Sequence, residues 1–124
     1  MKRTFSIAFL MILLFGFLPA QTLRPGRTRA FEATAYTKRS ATASGEQAQW
    51  GAVAADPRIL PLGTKIQIRN AGPYSGIYMV ADTGPKIQGR HIDIFIPNPQ
   101  RAKRFGRKEV KVRVLHLGAA PARP

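Results

Sequence analysis

Polar and apolar residues alternate most strictly in two stretches, Lys65-Ile66-Gln67-Ile68-Arg69 and Val110-Lys111-Val112-Arg113-Val114. A period of two predicts a strand for each, with Ile66 and Ile68 facing inward and the second stretch forming the last strand. Phe31-Glu32-Ala33-Thr34-Ala35-Tyr36-Thr37 combines small, β-branched and aromatic residues and predicts the first strand. Val53-Ala54-Ala55 predicts a short buried strand. An apolar run over residues 76–81 leads into Asp82, and a second run over 92–96 surrounds Asp93. Residues 38–49 are polar and form a long loop, a feature that is often functional in a compact domain. Trp50 closes that loop and is expected to pack against it, with a saccharide-stacking role as the other reading. Pro57 and Pro61 exclude a helix interior between Asp56 and Thr64. Leu62-Gly63 predicts a turn, and residues 70–76 a hairpin loop. Asn98 is a good N-cap, Pro99 suits the first helical position and Gly106 a helix stop, so residues 100–105 form one short helix. Several short strands, one short helix and frequent Gly and Pro breaks predict an all-β fold, a small closed β-barrel.

The two ends of the chain read differently. Lys2-Arg3 precedes an uncharged, strongly apolar stretch over residues 5–18, and Pro19-Ala20 precedes Gln21. Residues 1–20 are therefore expected to be a signal peptide. An uncleaved N-terminal anchor is the alternative, although the stretch is short against the roughly 20 residues of a membrane span. Both readings export the remainder to the periplasm or cell envelope, or secrete it. Residues 21–30 are basic and turn-rich and read as a linker, residues 31–117 as the folded domain, and residues 118–124 as a disordered tail.

The chain has 124 residues, enough for one domain. It contains no cysteine, which excludes disulfides, thiolate metal sites and a cysteine nucleophile. With His91 and His116 as its two histidines, a histidine-rich metal site is not expected either. The formal charge of +14 calls for an anionic partner. Export argues against nucleic acid and for an anionic polymer of the envelope. No phosphate loop, dinucleotide-binding spacing or serine elbow is present, and no cofactor is expected.

What remains is acid–base chemistry by aspartate. The three aspartates Asp56, Asp82 and Asp93 each adjoin an apolar, strand-like segment. A carboxylate among apolar residues must be hydrogen-bonded, paired or functional. Asp93 has the most apolar neighbours, so its pKa is expected to rise, as a proton carrier requires. Asp82 stands at a strand end, where the backbone N–H groups of Thr83 and Gly84 can hold it ionised. If the strands carrying Asp82 and Asp93 pair, one carboxylate can keep the other protonated. The plainer reading, a turn-capping aspartate, weighs most for Asp56 and least for Asp93.

Thr34-Ala35-Tyr36-Thr37, Ser44-Gly45, the run from Val53-Ala54-Ala55-Asp56-Pro57 through Leu60-Pro61-Leu62-Gly63-Thr64, Ala81-Asp82-Thr83-Gly84, Ile92-Asp93-Ile94-Phe95 and Phe105-Gly106-Arg107 occur in this order. Together they resemble the three-aspartate (3D) domain family. That domain is shared with the membrane-bound lytic murein transglycosylase A family and with stationary-phase cell-wall proteins of sporulating bacteria. The resemblance implies a double-psi β-barrel. It implies cleavage of the β-1,4 bond between N-acetylmuramic acid and N-acetylglucosamine in peptidoglycan, with closure of a 1,6-anhydro ring. Asp93 carries over as the single acid and base, and Asp82 and Asp56 as supporting carboxylates. Thr83, Gly84, Ser44 and Tyr36 carry over as substrate contacts. The implied partners are peptidoglycan glycan strands and anionic envelope polymers, with no obligate protein partner. Pro85-Lys86 departs from the glycine and alanine usual after Asp-Thr-Gly, and no second, groove-forming domain is read in these 124 residues. A non-catalytic wall-binding barrel similar to expansins or rare lipoprotein A is the alternative.

Overall fold

The computed structural model describes residues 21–38, 43 and 50–118. Six strands follow one another as β1 (Thr28–Tyr36), β2 (Ala52–Ala55), β3 (Lys65–Arg69), β4 (Gly76–Asp82), β5 (His91–Phe95) and β6 (Lys108–His116), with a helix α1 (Pro99–Phe105) between β5 and β6. They close into a barrel in the order β1-β5-β2-β4-β3-β6. The pairs β1/β5 and β2/β4 are parallel and the remainder antiparallel. Closure leaves no strand with an unpaired edge. The fold is the expected small, mostly β, closed barrel with one short helix.

Alternation explains the core. Ile66 and Ile68 on β3, Ile92 and Ile94 on β5, and Val110, Val112 and Val114 on β6 are all buried, while the residues between them reach the outer surface. Strand β2 is buried over its whole length, because Val53 and Ala55 fill the barrel while Ala52 and Ala54 are covered from outside. A second, smaller apolar cluster lies on that outer side, where Phe95 and Ala52 pack with Tyr36 and Ala81. Helix α1 is capped as expected. The Asn98 side chain accepts the N–H of Arg101 at 3.0 Å, Pro99 begins the helix, and Gly106 ends it at φ 64°. Phe105 on its last turn is buried edge-on to Tyr74.

Two expectations change. The first strand begins at Thr28 rather than Phe31, and the segment before it is tied to the barrel instead of running free as a linker. Leu23 donates its N–H to the Ile59 carbonyl at 2.9 Å, and Gly26 donates to Val114 at 2.8 Å. Leu23 also packs against the core, so one apolar residue anchors an otherwise basic stretch. At the other end, Gly118 belongs to the barrel. Its N–H donates to Thr64 Oγ1 at 3.0 Å, and a Cβ there would overlap the Leu62 carbonyl, so only glycine fits. Trp50 is 60% exposed, and most of the loop it was expected to pack against lies outside the described residues. Residues 1–20, the expected signal peptide, and 119–124 lie outside the described residues. Among the described residues no helix is long and apolar enough to cross a membrane.

Ile66 is fully buried at the contact of β3 with β4 and β6. Ile66→Ala should lower stability by about 2–5 kcal/mol through lost burial and an incompletely collapsed cavity. Urea unfolding followed by circular dichroism measures this; a loss below 0.5 kcal/mol (roughly the scale of a surface substitution) would contradict the packing described.

Candidate active site

Strand register assembles the site. Asp93 lies beside Thr34 of β1 on one side and beside Ala54 of β2 on the other. Ala54 in turn lies beside Asp82 of β4, at a register shift that follows Val53. Thr34, Asp93, Ala54 and Asp82 thus form one row across four neighbouring strands. Because Ile92 and Ile94 occupy the core, Asp93 projects to the opposite, outer side of the sheet, the side of Phe95. Ala54, itself buried, separates the two aspartates along this row.

The strands carrying Asp82 and Asp93 do not pair, contrary to the condition set for mutual protonation. β2 lies between them, which puts their backbones roughly 10 Å apart at two inter-strand spacings. The Asp93 carboxyl is nevertheless pushed above the usual carboxylate range. Burial is the largest cause, and the Thr34 hydrogen bond and the neighbouring His91 charge offset it in part. Phe95, two residues further along the same face, belongs to the apolar cluster that excludes water on this side. Desolvation, expected from the apolar neighbours of Asp93, therefore raises this pKa without a paired Asp82.

Asp93 is also oriented. The Thr34 hydroxyl donates to Asp93 Oδ1 at 2.9 Å and lies 2.9 Å from His91 Nε2. Since the single hydroxyl proton goes to Asp93, His91 must donate from Nε2. Asp82 is held differently, at a strand end as expected. Its Oδ1 accepts the backbone N–H of Thr83 at 2.8 Å and that of Ala43, in the loop after β1, at 2.9 Å. Tyr36 stands by both carboxylates. Its phenol is pushed up to about 12, first by burial and then by the negative charges of Asp82 and Asp93. Its buried hydroxyl has no hydrogen-bond partner among the described residues. The ring rests against Phe95 with centroids 5.4 Å apart.

Asp56 has another environment. It is 3% exposed and saturated with donors. Oδ1 accepts the backbone N–H and Nε–H of Arg58, both at 3.0 Å, while Oδ2 accepts Arg58 Nη2–H at 2.7 Å and the Gly89 N–H at 2.9 Å. The Arg58 side-chain bonds lower its pKa to about 2, against the opposing effect of burial. This carboxylate ties the loop between β4 and β5 to the end of β2. Thr83 and Gly84 line a hollow of about 430 Å³ with Asp56, Arg58, Pro85 and Ile87. The expected site residues thus form two groups, Asp93, Asp82 and Tyr36 in one and Asp56, Thr83 and Gly84 in the other, joined through the Asp82–Thr83 peptide. Ser44 lies outside the described residues. Sequence reasoning did not single out Thr34 or His91. His91 was within reach, since a residue two positions before Asp93 in a strand shares its face. Among the described residues no three His, Asp or Glu side chains converge as metal ligands would.

Residues 51–116 match the 3D domain. The chain belongs to the 3D domain family. It is 34% identical over 100 residues to the putative cell wall shaping protein YabE of Bacillus subtilis, covering 73% of this chain and 24% of that protein. It is 39% identical over 64 residues to the cell wall-binding protein YocH of the same organism, covering 52% of this chain and 21% of that one. The chain thus spans about a quarter or less of the curated relatives it matches. Among solved structures the barrel is similar to the lytic transglycosylase MltA of Escherichia coli, with a TM-score of 0.54 at 26% identity over 66% of this chain and 29% of that one. A Streptomyces papain inhibitor shares the fold at 18% identity and a TM-score of 0.56, and is covered over 99% of its length.

Asp56 and Asp93 should respond oppositely to pH. The folded pKa of Asp56 lies below its ordinary value of about 3.9, so its stabilisation is present above that value and lost as pH falls towards about 2. Asp56→Asn should cost about 2 kcal/mol at pH 7 and flatten the acid limb of a plot of Tm against pH. Asp93 has a raised pKa, so its contribution is present below the ordinary value and lost as pH rises through the folded one. Thr34→Val, which removes a bond that lowers this pKa, should raise it further, as read from the carboxyl carbon in an NMR titration. An unchanged midpoint would remove Thr34 from the site.

Proposed function

We propose that this 3D domain barrel is an exported protein of the cell envelope that acts on peptidoglycan as a lytic transglycosylase, with Asp93 as its acid and base. The observation that carries the reading is the Asp93 carboxyl, partly desolvated, raised in pKa and oriented by Thr34 on the open outer face. A general acid needs a pKa near its working pH. Protonated Asp93 gives its proton to the glycosidic oxygen as the C1–O bond breaks. The carboxylate then takes the proton of the muramic acid C6 hydroxyl as that oxygen bonds to C1. The 1,6-anhydro ring closes, no water is consumed, and Asp93 ends protonated as it began. Asp82, two strands away, supplies negative charge towards an oxocarbenium-like transition state. Tyr36 packs beside both carboxylates with its hydroxyl buried, and Thr83, Gly84 and Ser44 form the contact surface. Asp56 acts as support, holding the loop that follows Asp82. The similarity to MltA and the names of the Bacillus relatives favour the cell wall as the setting.

A non-catalytic wall-binding barrel is the second reading. It is favoured by the name of YocH and by exposed Trp50, which lines a hollow of about 720 Å³ with Tyr74 and Phe105 and offers a flat apolar face to a sugar ring.

Digestion of purified peptidoglycan, with products identified by mass spectrometry, separates the two. The enzyme reading expects 1,6-anhydromuramyl ends, at a rate that falls as pH rises past the Asp93 pKa. Asp93→Asn should lose at least 100-fold in rate (on the order of what general acid–base catalysis contributes) while keeping a folded circular dichroism spectrum. Reducing ends would indicate hydrolysis. Retention on the wall without any release would establish the binder.

A further inference from the structure

A strongly basic concavity among the described residues is separate from the aspartate face. A cleft of about 530 Å³ is lined by Arg24, Arg27, Arg29 and Arg90, with Thr22 and Phe31 among the other lining residues. The four arginines come from two distant parts of the chain. Three lie before or at the start of β1, and Arg90 immediately precedes β5. Backbone hydrogen bonds hold them together. Leu23 and Gly26 donate to Ile59 and Val114, Val114 donates to the Arg27 carbonyl at 3.2 Å, and Glu32 donates to the Arg90 carbonyl at 2.9 Å. The Thr22 hydroxyl adds a bond to the Arg58 carbonyl at 2.9 Å. None of the four takes part in an ion pair among the described residues, where the pairs are Asp56–Arg58 and Glu32–Arg107. A basic linker left loose would let like charges separate. Here the fold fixes them around one cleft, although they repel each other.

We propose that this cleft binds the backbone of a linear, base-free phosphodiester polymer. Guanidinium groups present planar forks that match phosphate oxygens, and all the cations lining the cleft are arginine. All four are exposed, so the cleft is open along its length, which suits a chain laid across it better than an enclosed small molecule. Nucleic acid fits less well. The single aromatic residue lining the cleft, Phe31, is 2% exposed and offers no face on which a base could stack. The site stands apart from the chemistry proposed for Asp93, and its test does not depend on that chemistry.

Binding of fluorescent poly(glycerol phosphate) to the full chain, followed by anisotropy at two salt concentrations, tests the assignment. The variant R24Q/R27Q/R29Q/R90Q should bind at least 10-fold more weakly and show a shallower salt dependence. The charge-matched variant R101Q/K103Q/R104Q/K111Q should lose less than threefold. Polyglutamate of equal charge and a single-stranded oligonucleotide with equal phosphates should each bind at least 10-fold more weakly than the polyol phosphate. Equal losses in the two quadruple variants would reduce the effect to overall charge and overturn the site. Polyglutamate binding as well as the polyol phosphate would overturn the preference for phosphate, and tighter oligonucleotide binding would make nucleic acid the partner. Should the first variant lose its folded spectrum, R24Q/R27Q, confined to two exposed side chains, is expected to bind at least threefold more weakly, and unchanged binding would overturn the site.

Discussion

The placement of β5 between β1 and β2 is the constraint on which the rest depends. β5 is five residues long and pairs on both sides, parallel to β1 and antiparallel to β2. Its inward residues, Ile92 and Ile94, are sealed in the core. A slip of one residue in its register would bring the Asp93 carboxylate into the barrel and expel two isoleucines, a change that burial energies forbid. Core packing thus fixes where Asp93 points. The parallel pairing with β1 then sets Thr34 beside it, and the antiparallel pairing with β2 sets Ala54 on its other side. The orientation of the candidate acid follows from hydrophobic register before any polar contact is made.

The same barrel holds two aspartates at opposite limits of carboxylate behaviour. Asp56 is the more buried, yet its pKa falls, because four donors from Arg58 and Gly89 replace the water it lost. Asp93 is only partly buried, yet its pKa rises, because desolvation outweighs the single Thr34 hydrogen bond and the His91 charge. Depth alone does not decide the charge state; the number of donors weighed against desolvation does. A saturated carboxylate is suited to fastening a loop. An under-supplied one keeps its proton longer and has lone pairs left for another molecule.

What was legible in the sequence was mostly local. Alternation placed Ile66, Ile68 and the three valines of β6, and Asn98, Pro99 and Gly106 marked both ends of the helix. The apolar neighbours of Asp93 predicted the direction of its pKa shift correctly. The second, conditional cause, pairing with the strand that carries Asp82, depended on long-range topology and is not met. No local pattern shows that β2 is inserted between β4 and β5, since four small apolar residues carry little register information of their own. The docking of residues 21–27 was hidden for a similar reason. Their composition is that of a linker, and what attaches them is backbone hydrogen bonding to Ile59 and Val114 together with one leucine. Ser44, and with it most of the polar loop after β1, lies outside what the described residues can locate.

A net charge of +14 makes the raised pKa of Asp93 more informative. A positively charged molecule lowers the pKa of its carboxyl groups through its general field, so the direction seen at Asp93 runs against the sign of the whole chain. Range explains the reversal. Exposed charges beyond a Debye length, about 8 Å at physiological salt, are largely screened, whereas the apolar cluster around Phe95 acts at contact. The basic surface and the aspartate face therefore work on different scales. A basic surface attracts anions from a distance, with a strength that salt weakens. The burial of Asp93 raises its pKa locally, and salt should barely alter that effect. Long-range attraction and the charge state of Asp93 therefore answer differently to ionic strength, although both belong to the same six-stranded barrel.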